Sequence, residues 1–132
     1  MSESVDLQRL ALARFGLLTA AEFKMLHAAA MGTTAFCGPS EVADPANNPA
    51  DSDNWSVHRQ IRSDLIRWLC TNKAASDCVD PRGIQICGAR ISGALDLSFA
   101  TVRFPLRLSQ CRLSDDWNLN YIEIPSLQFT GT

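Results

Sequence analysis

The feature that most constrains the fold of this chain is an 11-residue repeat between Pro81 and Ile124. Its four rows read PRGIQICGARI, SGALDLSFATV, RFPLRLSQCRL and SDDWNLNYIEI. Positions 4, 6, 9 and 11 are apolar in every row, so the fold of this segment must bury four columns of side chains. Those columns are Ile84/Leu95/Leu106/Trp117, Ile86/Leu97/Leu108/Leu119, Ala89/Ala100/Cys111/Ile122 and Ile91/Val102/Leu113/Ile124.

The spacing of these columns predicts short strands that turn a corner every five or six residues. Residues at i and i+2 point to the same side of an extended strand, so positions 4 and 6 form one inward pair and positions 9 and 11 another. The alternation fits neither the 3.6-residue nor the seven-residue period of helices. We therefore predict a β-solenoid with 11-residue half-coils, in which side chains two rows apart stack. Gln85 is then expected beside Arg107, and Asp96 beside Asn118.

The N-terminal part of the chain carries helix signals. Residues 1–32 predict a helical hairpin, because apolar residues recur at helical spacing up to Gly16 and a second helix then follows. Thr19 and Glu22 fit a capping box for the second helix, and Gly32 suits its C-terminal cap. Residues 33–55 are rich in Pro, Asp and Asn, which predicts an irregular, solvated linker. Residues 56–72 predict an amphipathic helix with one apolar face formed by Val57, Ile61, Leu65, Trp68 and Leu69.

These elements together predict an α+β fold in which N-terminal helices cap a short parallel β-helix that occupies residues 80–132. Residues 125–132, PSLQFTGT, begin a fifth unit whose apolar pair is shifted by about one residue. A solenoid generally needs about three repeats and a polar cap at each end. We therefore expect the helices to cover one end of the stack, the other end to be open, and the solenoid to be truncated at its C-terminus.

The stretch from Ile61 onward resembles a known family. IRSDLIRWLC, followed by VDPRGIQICGARISGALDLSFATVRFPLRLSQCRL, is similar to the start of bacterial pentapeptide-repeat-like proteins. Gly88-Ala89-Arg90-Ile91 and Leu95-Asp96-Leu97 are the most specific part, and the resemblance covers about residues 55–132. It implies a right-handed, roughly square β-helix and a longer parent protein. Some members carry the name membrane-associated oxidoreductase.

No motif in the sequence supports a cofactor or a metal. Gly-rich dinucleotide or phosphate loops, C-x-x-C pairs and haem motifs are absent from the sequence, so we expect no cofactor. Cys70, Cys78 and Cys87 are separated by intervals of eight and nine, unlike the close ligand pairs of zinc sites, so we expect no metal. The odd number of cysteines argues for reduced thiols.

Two groups of polar residues are candidate sites. His58, Arg59 and Arg62 lie close together in the predicted third helix and could contact an anion or a partner, or form a solvated face. The carboxylates Asp96, Asp115, Asp116 and Glu123 could in principle serve acid–base chemistry. Because the repeat contains no histidine or nucleophile to work with them, solubility is the favoured reading, and we predict no catalytic residues.

Composition narrows the possible partners. The formal net charge is -2, and the arginines of the repeat stand among acidic residues, which argues against nucleic-acid binding and against an acidic mimic of DNA. No apolar run approaches the roughly 20 residues that cross a bilayer, and the N-terminal stretch MSESVDLQRL does not resemble a signal peptide. We therefore expect a cytoplasmic protein, with membrane association only through a region missing from the C-terminal side.

Two functional hypotheses follow. The favoured one is a non-enzymatic protein-interaction or scaffold module that binds a protein partner, or a second copy, through the open C-terminal end of the solenoid. The alternative is the N-terminal fragment of a longer membrane-associated protein or enzyme, named an oxidoreductase in the family it resembles, whose active part is absent.

Overall fold

The computed structural model describes residues 3–38, 45–48 and 55–131, and within these ranges the chain mixes four α-helices with nine short β-strands. The helices are α1 (Glu3–Phe15), α2 (Ala20–Met31), α3 (Ser63–Thr71) and α4 (Lys73–Asp77). The strands are β1 (Thr34–Phe36), β2 (Gln60–Arg62), β3 (Ile84–Cys87), β4 (Arg90–Ser92), β5 (Leu95–Asp96), β6 (Leu106–Ser109), β7 (Arg112–Leu113), β8 (Trp117–Asn118) and β9 (Leu127–Thr130). Single 3-10 turns occupy Pro45–Asn47 and Val57–Arg59.

The two N-terminal helices form where the sequence predicts them. The predicted capping box is confirmed, because the Thr19 side chain accepts from the Glu22 backbone and the Glu22 side chain accepts from the Thr19 backbone. Gly32 takes the left-handed conformation, with φ of 74°, and caps the end of α2. None of the helices in the described ranges has both the length and the apolar character that crossing a membrane requires.

The prediction of a helix from residue 56 is wrong at its start. A 3-10 turn and β2 occupy residues 57–62, and α3 begins only at Ser63. Ile61 is the buried middle residue of β2 and pairs in parallel with Ile91 of β4, so it does not belong to a helix face. Val57, which the helical pattern places on the apolar face, is exposed. Val57 and Ile61 precede Leu65 at intervals of four residues, so the apolar spacing alone did not distinguish this segment from a helix.

The prediction of an irregular, solvated linker over residues 33–55 is also partly wrong. Thr34–Phe36 is strand β1, which pairs in parallel with β3 and buries Ala35. Asn47 is completely buried in its 3-10 turn. The rest of the proline-rich stretch, residues 39–44 and 49–54, lies outside the described residues. The linker therefore contributes one strand and one buried amide to the packed structure.

The strands form three open parallel sheets, with strand orders β1-β3-β6-β9, β2-β4-β7 and β5-β8. Ile84 pairs with Leu106, Arg90 with Arg112 and Leu95 with Trp117. The prediction that each row lies beside the row two further along the chain is therefore confirmed. The expected neighbours Gln85 and Arg107, and Asp96 and Asn118, are register partners. Leu106 pairs with Leu127, one position short of the regular interval, which confirms the shift expected for the fifth unit.

A left-handed residue stands at position 8 of every 11-residue unit, between its two apolar pairs. Gly88 has φ of 74°, Phe99 of 62°, Gln110 of 52° and Tyr121 of 58°. A positive φ is uncommon for residues other than glycine, so three of these four corners are strained. The chain changes direction at the same place in each unit.

The apolar columns of the first three rows form the core between the sheets. Their side chains are buried, except for the half-buried Ala100 and Leu113. Helix α2 packs against β1, β2 and β3, and α3 packs against β2 and β5. The helices therefore cover the side of the stack on which β1 and β2 lie. The opposite side is formed by β7, β8 and β9, which are the last strands in the three sheets.

Candidate interaction surface

The three residues predicted to contact an anion or a partner do not converge on one site. His58 is exposed on the 3-10 turn that precedes β2. The side chains of Arg59 and Arg62 are half-buried and make contacts with different parts of the chain. The contacts of each arginine show what it does in this fold.

Arg59 fastens the segment around Asn47 to the corner between β3 and β4. Its Nε and Nη2 donate to the Gly88 carbonyl at 3.0 and 2.8 Å, and its Nη2 also donates to Asn47 Oδ1 at 3.0 Å. Its guanidinium carbon lies 3.8 Å from the centre of the Trp55 ring, a cation–π contact. Burial lowers the pKa of Arg59 from its ordinary value. A side chain at Gly88 would collide with both Asn47 and Arg59, so this contact requires glycine there.

Arg62 is bound to Glu22, whose side chain is completely buried. Glu22 Oε2 accepts from the Arg62 backbone at 3.0 Å and from Arg62 Nε at 2.9 Å, while Oε1 accepts from the Thr19 backbone at 2.8 Å. The guanidinium carbon also lies 5.3 Å from the centre of the Phe15 ring. One carboxylate thus ties α2 to β2. Both guanidinium groups make contacts within the chain, and an anion or partner role for His58, Arg59 and Arg62 stays a prediction.

The cysteines are set in the packed interior. No disulfide forms among the five, all of which lie in the described ranges, and only Cys78 is half-buried where the others are buried. Burial raises the pKa of Cys37 and of Cys70 to about 12, and that of Cys111 to about 11. Among the described residues, no group of three or more His, Cys, Asp and Glu side chains could hold a metal ion.

We expect iodoacetamide to alkylate Cys78 faster than Cys37, Cys70 and Cys111 in the native protein, by about tenfold or more. The thiolate is the nucleophile, and burial both covers the three slower thiols and keeps them protonated. Mass spectrometry of tryptic peptides measures the order, and all five should react alike in denaturant. Rapid native labelling of Cys70 would contradict this order.

The raised pKa of the buried thiols also makes the stability of the fold depend on pH. Since their folded pKa lies above the ordinary 9.0, their contribution to stability is complete below about pH 9 and is lost as pH rises toward 12.

The four candidate carboxylates, Asp96, Asp115, Asp116 and Glu123, are all exposed. Asp96 Oδ1 accepts from the Ser98 hydroxyl at 2.6 Å and from the Ser98 backbone at 2.9 Å. These bonds, the side-chain one first, lower the pKa of Asp96. A carboxylate held ionised in this way stabilises a turn and is a weak general base, so its geometry favours a structural role.

A cleft of about 520 Å³ lies between α1 and α3, lined by Arg14, Phe15, Asp64, Arg67 and Trp68 and by the end of α3. The Phe15 and Trp68 rings meet edge to face, with centroids 5.6 Å apart. Arg67 Nε already donates to the Asp96 carbonyl. Arg14 and Arg67 are exposed cations and Asp64 is an exposed anion, so the described lining of the cleft is mixed in charge and solvated.

The surface that differs most from the rest of the fold is the edge row, which we define as residues 112–131 with strands β7, β8 and β9. Its apolar columns continue those of the core, but they are only partly covered. Leu106 and Leu108 of β6 are 0% and 1% exposed, whereas Phe129, the partner of Leu108, is 43% exposed. Trp117, Leu119, Ile122, Ile124 and Leu127 are half-buried. The edge row is therefore a partly covered core layer.

Trp117 shows that the packing of the edge row is incomplete. Its ring meets Phe129 edge to face, with centroids 5.8 Å apart. Its indole Nε1 is buried and, among the described residues, has no hydrogen-bond partner. Leaving a buried donor unsatisfied costs about 1–3 kcal/mol. The core rows contain no such group in the described part of the chain.

An exposed pair of aromatic rings joins Tyr121 of the edge row to Phe99, which lies outside it. Phe99 and Tyr121, both at left-handed corners, are 76% and 78% exposed and stack with centroids 5.0 Å apart and 12° between ring planes. Sequence reasoning missed this pair, which we call the aromatic corner. The signal was present, because both residues occupy position 8 of the 11-residue repeat.

Comparison with models of protein families, with curated proteins and with solved structures finds no match to the chain.

Proposed function

We propose that this chain is a non-enzymatic protein-interaction or scaffold module, built on a short β-solenoid, that binds a protein partner across its edge row. Support for the solenoid comes from parallel pairing between every second row of the repeat and from a corner at the same position in each unit. Support for binding comes mainly from one observation. The apolar columns are buried in the core rows and half-exposed in the edge row, where three sheets end together.

The edge row offers two kinds of binding energy. Edge strands can accept a further strand through main-chain hydrogen bonds, the mode known as β-augmentation. Burying a fully exposed large apolar side chain contributes about 1.5–3 kcal/mol. A side chain that is already half-buried contributes less when a partner covers the rest of it. The Trp117 ring meets Phe129, and Leu127 lies on the same face of β9 as Phe129, so the surface resembles the aromatic anchors that dominate protein–protein binding.

Site-specific photocrosslinking tests the proposal. A photoreactive phenylalanine analogue at position 129 faces the partly covered apolar layer, and the same analogue at position 128 is the matched control, because adjacent residues of a strand point to opposite faces. We expect one discrete crosslinked protein from position 129 in native cells, and none from position 128. The partner identified by crosslinking is then purified without the crosslink, and its Kd for this protein is measured.

The binding measurement decides the result. We expect Phe129→Lys to weaken the Kd of the purified partner at least about tenfold, and Gln128→Lys to leave it within about twofold. Crosslinking that is equal at the two positions, or a Kd unaffected by Phe129→Lys, would show that the edge row is not the binding surface.

A further inference from the structure

The outer face of the sheet β1-β3-β6-β9 carries a row of polar side chains that crosses all four strands. Thr34 pairs with Gln85, Gln85 with Arg107 and Arg107 with Gln128, so the four residues lie side by side in the parallel register. The residues before and after Arg107 in β6 are buried, whereas Arg107 is exposed. Because successive side chains of a strand point to opposite faces, this row faces away from the core.

A depression of about 220 Å³ opens on this row. It is lined by all four residues of the row and by Ser109 of β6, among others. The described residues that line it include one cation, Arg107, and no acid. An amide side chain flanks Arg107 on each side, from Gln85 of β3 and from Gln128 of β9. The charge and the hydrogen-bonding groups of the lining therefore favour a negatively charged occupant.

Three side chains of the row can donate N–H groups to such an occupant. Thr34 Oγ1 donates to Gln85 Oε1 at 3.3 Å, which engages the carbonyl end of that amide and leaves its Nε2 to donate outward. Within the described ranges, the guanidinium group of Arg107 and the side-chain amide of Gln128 form no hydrogen bond or ion pair with the rest of the chain. Donors from three adjacent strands are thus available at one place.

We propose that this depression is a binding site for a small oxyanion, a molecule that carries a carboxylate or a phosphate group. Arg107 supplies the positive charge and a planar fork of N–H groups, the geometry that binds both kinds of oxyanion through two parallel bonds. Gln85 and Gln128 flank it at the spacing of neighbouring strands, about 4.8 Å on each side. The depression is smaller than the roughly 300–1,000 Å³ of sites that enclose a drug-sized ligand, so it accommodates the anionic group of a small molecule.

The arginines of the neighbouring sheet are less suited to this role. Arg90 and Arg112 are register partners on β4 and β7, but Arg90 Nε already donates to the Ser114 hydroxyl at 3.2 Å, and two acids follow Ser114 directly. Arg112 is exposed and lies outside the depression. Arg112→Gln therefore removes the same charge as Arg107→Gln from a different face, which makes it the matched control.

NMR titration of the isotope-labelled protein with sodium phosphate and, separately, with sodium acetate tests the site, with sodium chloride holding the ionic strength constant. The readouts are the side-chain Nε–Hε signal of Arg107 and the side-chain amide signals of Gln85 and Gln128. We expect at least one of the two anions to shift these signals saturably, and the ratio of their Kd values tells a phosphate group from a carboxylate as the preferred ligand.

The variants locate the binding. Arg107→Gln should weaken the Kd of the bound anion at least about tenfold, whereas Arg112→Gln should leave it within about twofold. The backbone amide spectrum of each variant, unchanged away from the substitution, shows that the fold is retained.

Shifts that do not saturate with either anion, or an equal loss from Arg107→Gln and Arg112→Gln, would overturn the inference, because both describe screening of exposed charge and not a site. Neither result would touch the proposed function. The apolar layer of Leu127 and Phe129 lies on the other face of β9 from Gln128, and crosslinking at position 129 tests it separately.

Discussion

Replacing Glu22 with alanine is expected to lower the free energy of unfolding by about 3 kcal/mol, because two backbone donors lose their acceptor and each unsatisfied donor costs about 1–3 kcal/mol. The Glu22 carboxylate is completely buried and accepts from two backbone N–H groups, of Thr19 and Arg62, as well as from the Arg62 guanidinium. Alanine leaves those backbone donors without their acceptor and removes the link between α2 and β2. Urea denaturation followed by tryptophan fluorescence measures the change.

Two controls separate this effect from ordinary charge removal. Lys73→Ala breaks an exposed pair with Asp77 and should cost no more than about 1 kcal/mol. Thr19→Ser keeps the hydroxyl that caps α2 and donates to the Gln60 carbonyl, so it should remain close to the parent protein. If Glu22→Ala unfolded within about 1 kcal/mol of the parent, the Glu22 network would not hold α2 against β2.

Replacing Gly83 with alanine is expected to cost about 3 kcal/mol or more, the second large effect. Gly83 has φ of 82°, and a Cβ atom there would collide with the backbone carbonyl oxygen of Pro105. That oxygen accepts from the Ile84 backbone at 3.0 Å, where β3 meets β6. The added methyl group therefore combines a left-handed strain of about 1–2 kcal/mol with displacement of a paired backbone.

Gly16→Ala is the matched control for Gly83→Ala. Gly16 has φ of 75°, but nothing lies within 4 Å of the position its Cβ would take. Its substitution should cost only the left-handed strain, about 1–2 kcal/mol. Thermal unfolding of both variants, measured by circular dichroism, gives the difference. Equal losses at the two sites would mean that the contact between Gly83 and Pro105 relaxes without cost.

Regular local signals made much of the fold predictable from the sequence. The apolar columns recur with an 11-residue period, so the register between alternate rows could be read without a structure and is confirmed by pairs such as Gln85 and Arg107. The capping box at Thr19 and Glu22 is equally local, because both partners lie within one helical turn.

The errors came from contacts between residues distant in sequence. β1 and β2 are three residues long, each buries one side chain, and their partners β3 and β4 follow only after intervening segments. An alternation that short cannot be told from part of a helix or a loop. The burial of Asn47 depends on Arg59 and on the absence of a side chain at Gly88, which no local pattern reveals.

The position of the candidate surface could be predicted from the sequence, but the arrangement of its exposed aromatic rings could not. The half-exposed apolar layer of the edge row follows from the repeat, since the columns of Leu127 and Phe129 continue those of the core. The shared repeat position of Phe99 and Tyr121 was visible in the sequence. That this position is a left-handed corner, at which the two rings stack, is shown only by the structure.

The long separation between β1 and β3 has a consequence for the order in which the molecule assembles. Thr34 pairs with Gln85 at a sequence separation of 51, whereas Ile84 pairs with Leu106 across less than half that interval. At translation rates of about 5–20 residues per second, β1 exists for about 3–10 s before its partner has been synthesised. During that interval the α2 surface that packs on β3 also has nothing to cover it. The N-terminal segment is thus synthesised first but pairs with β3 late. The later rows pair with one another across much shorter loops, whose closure costs less entropy.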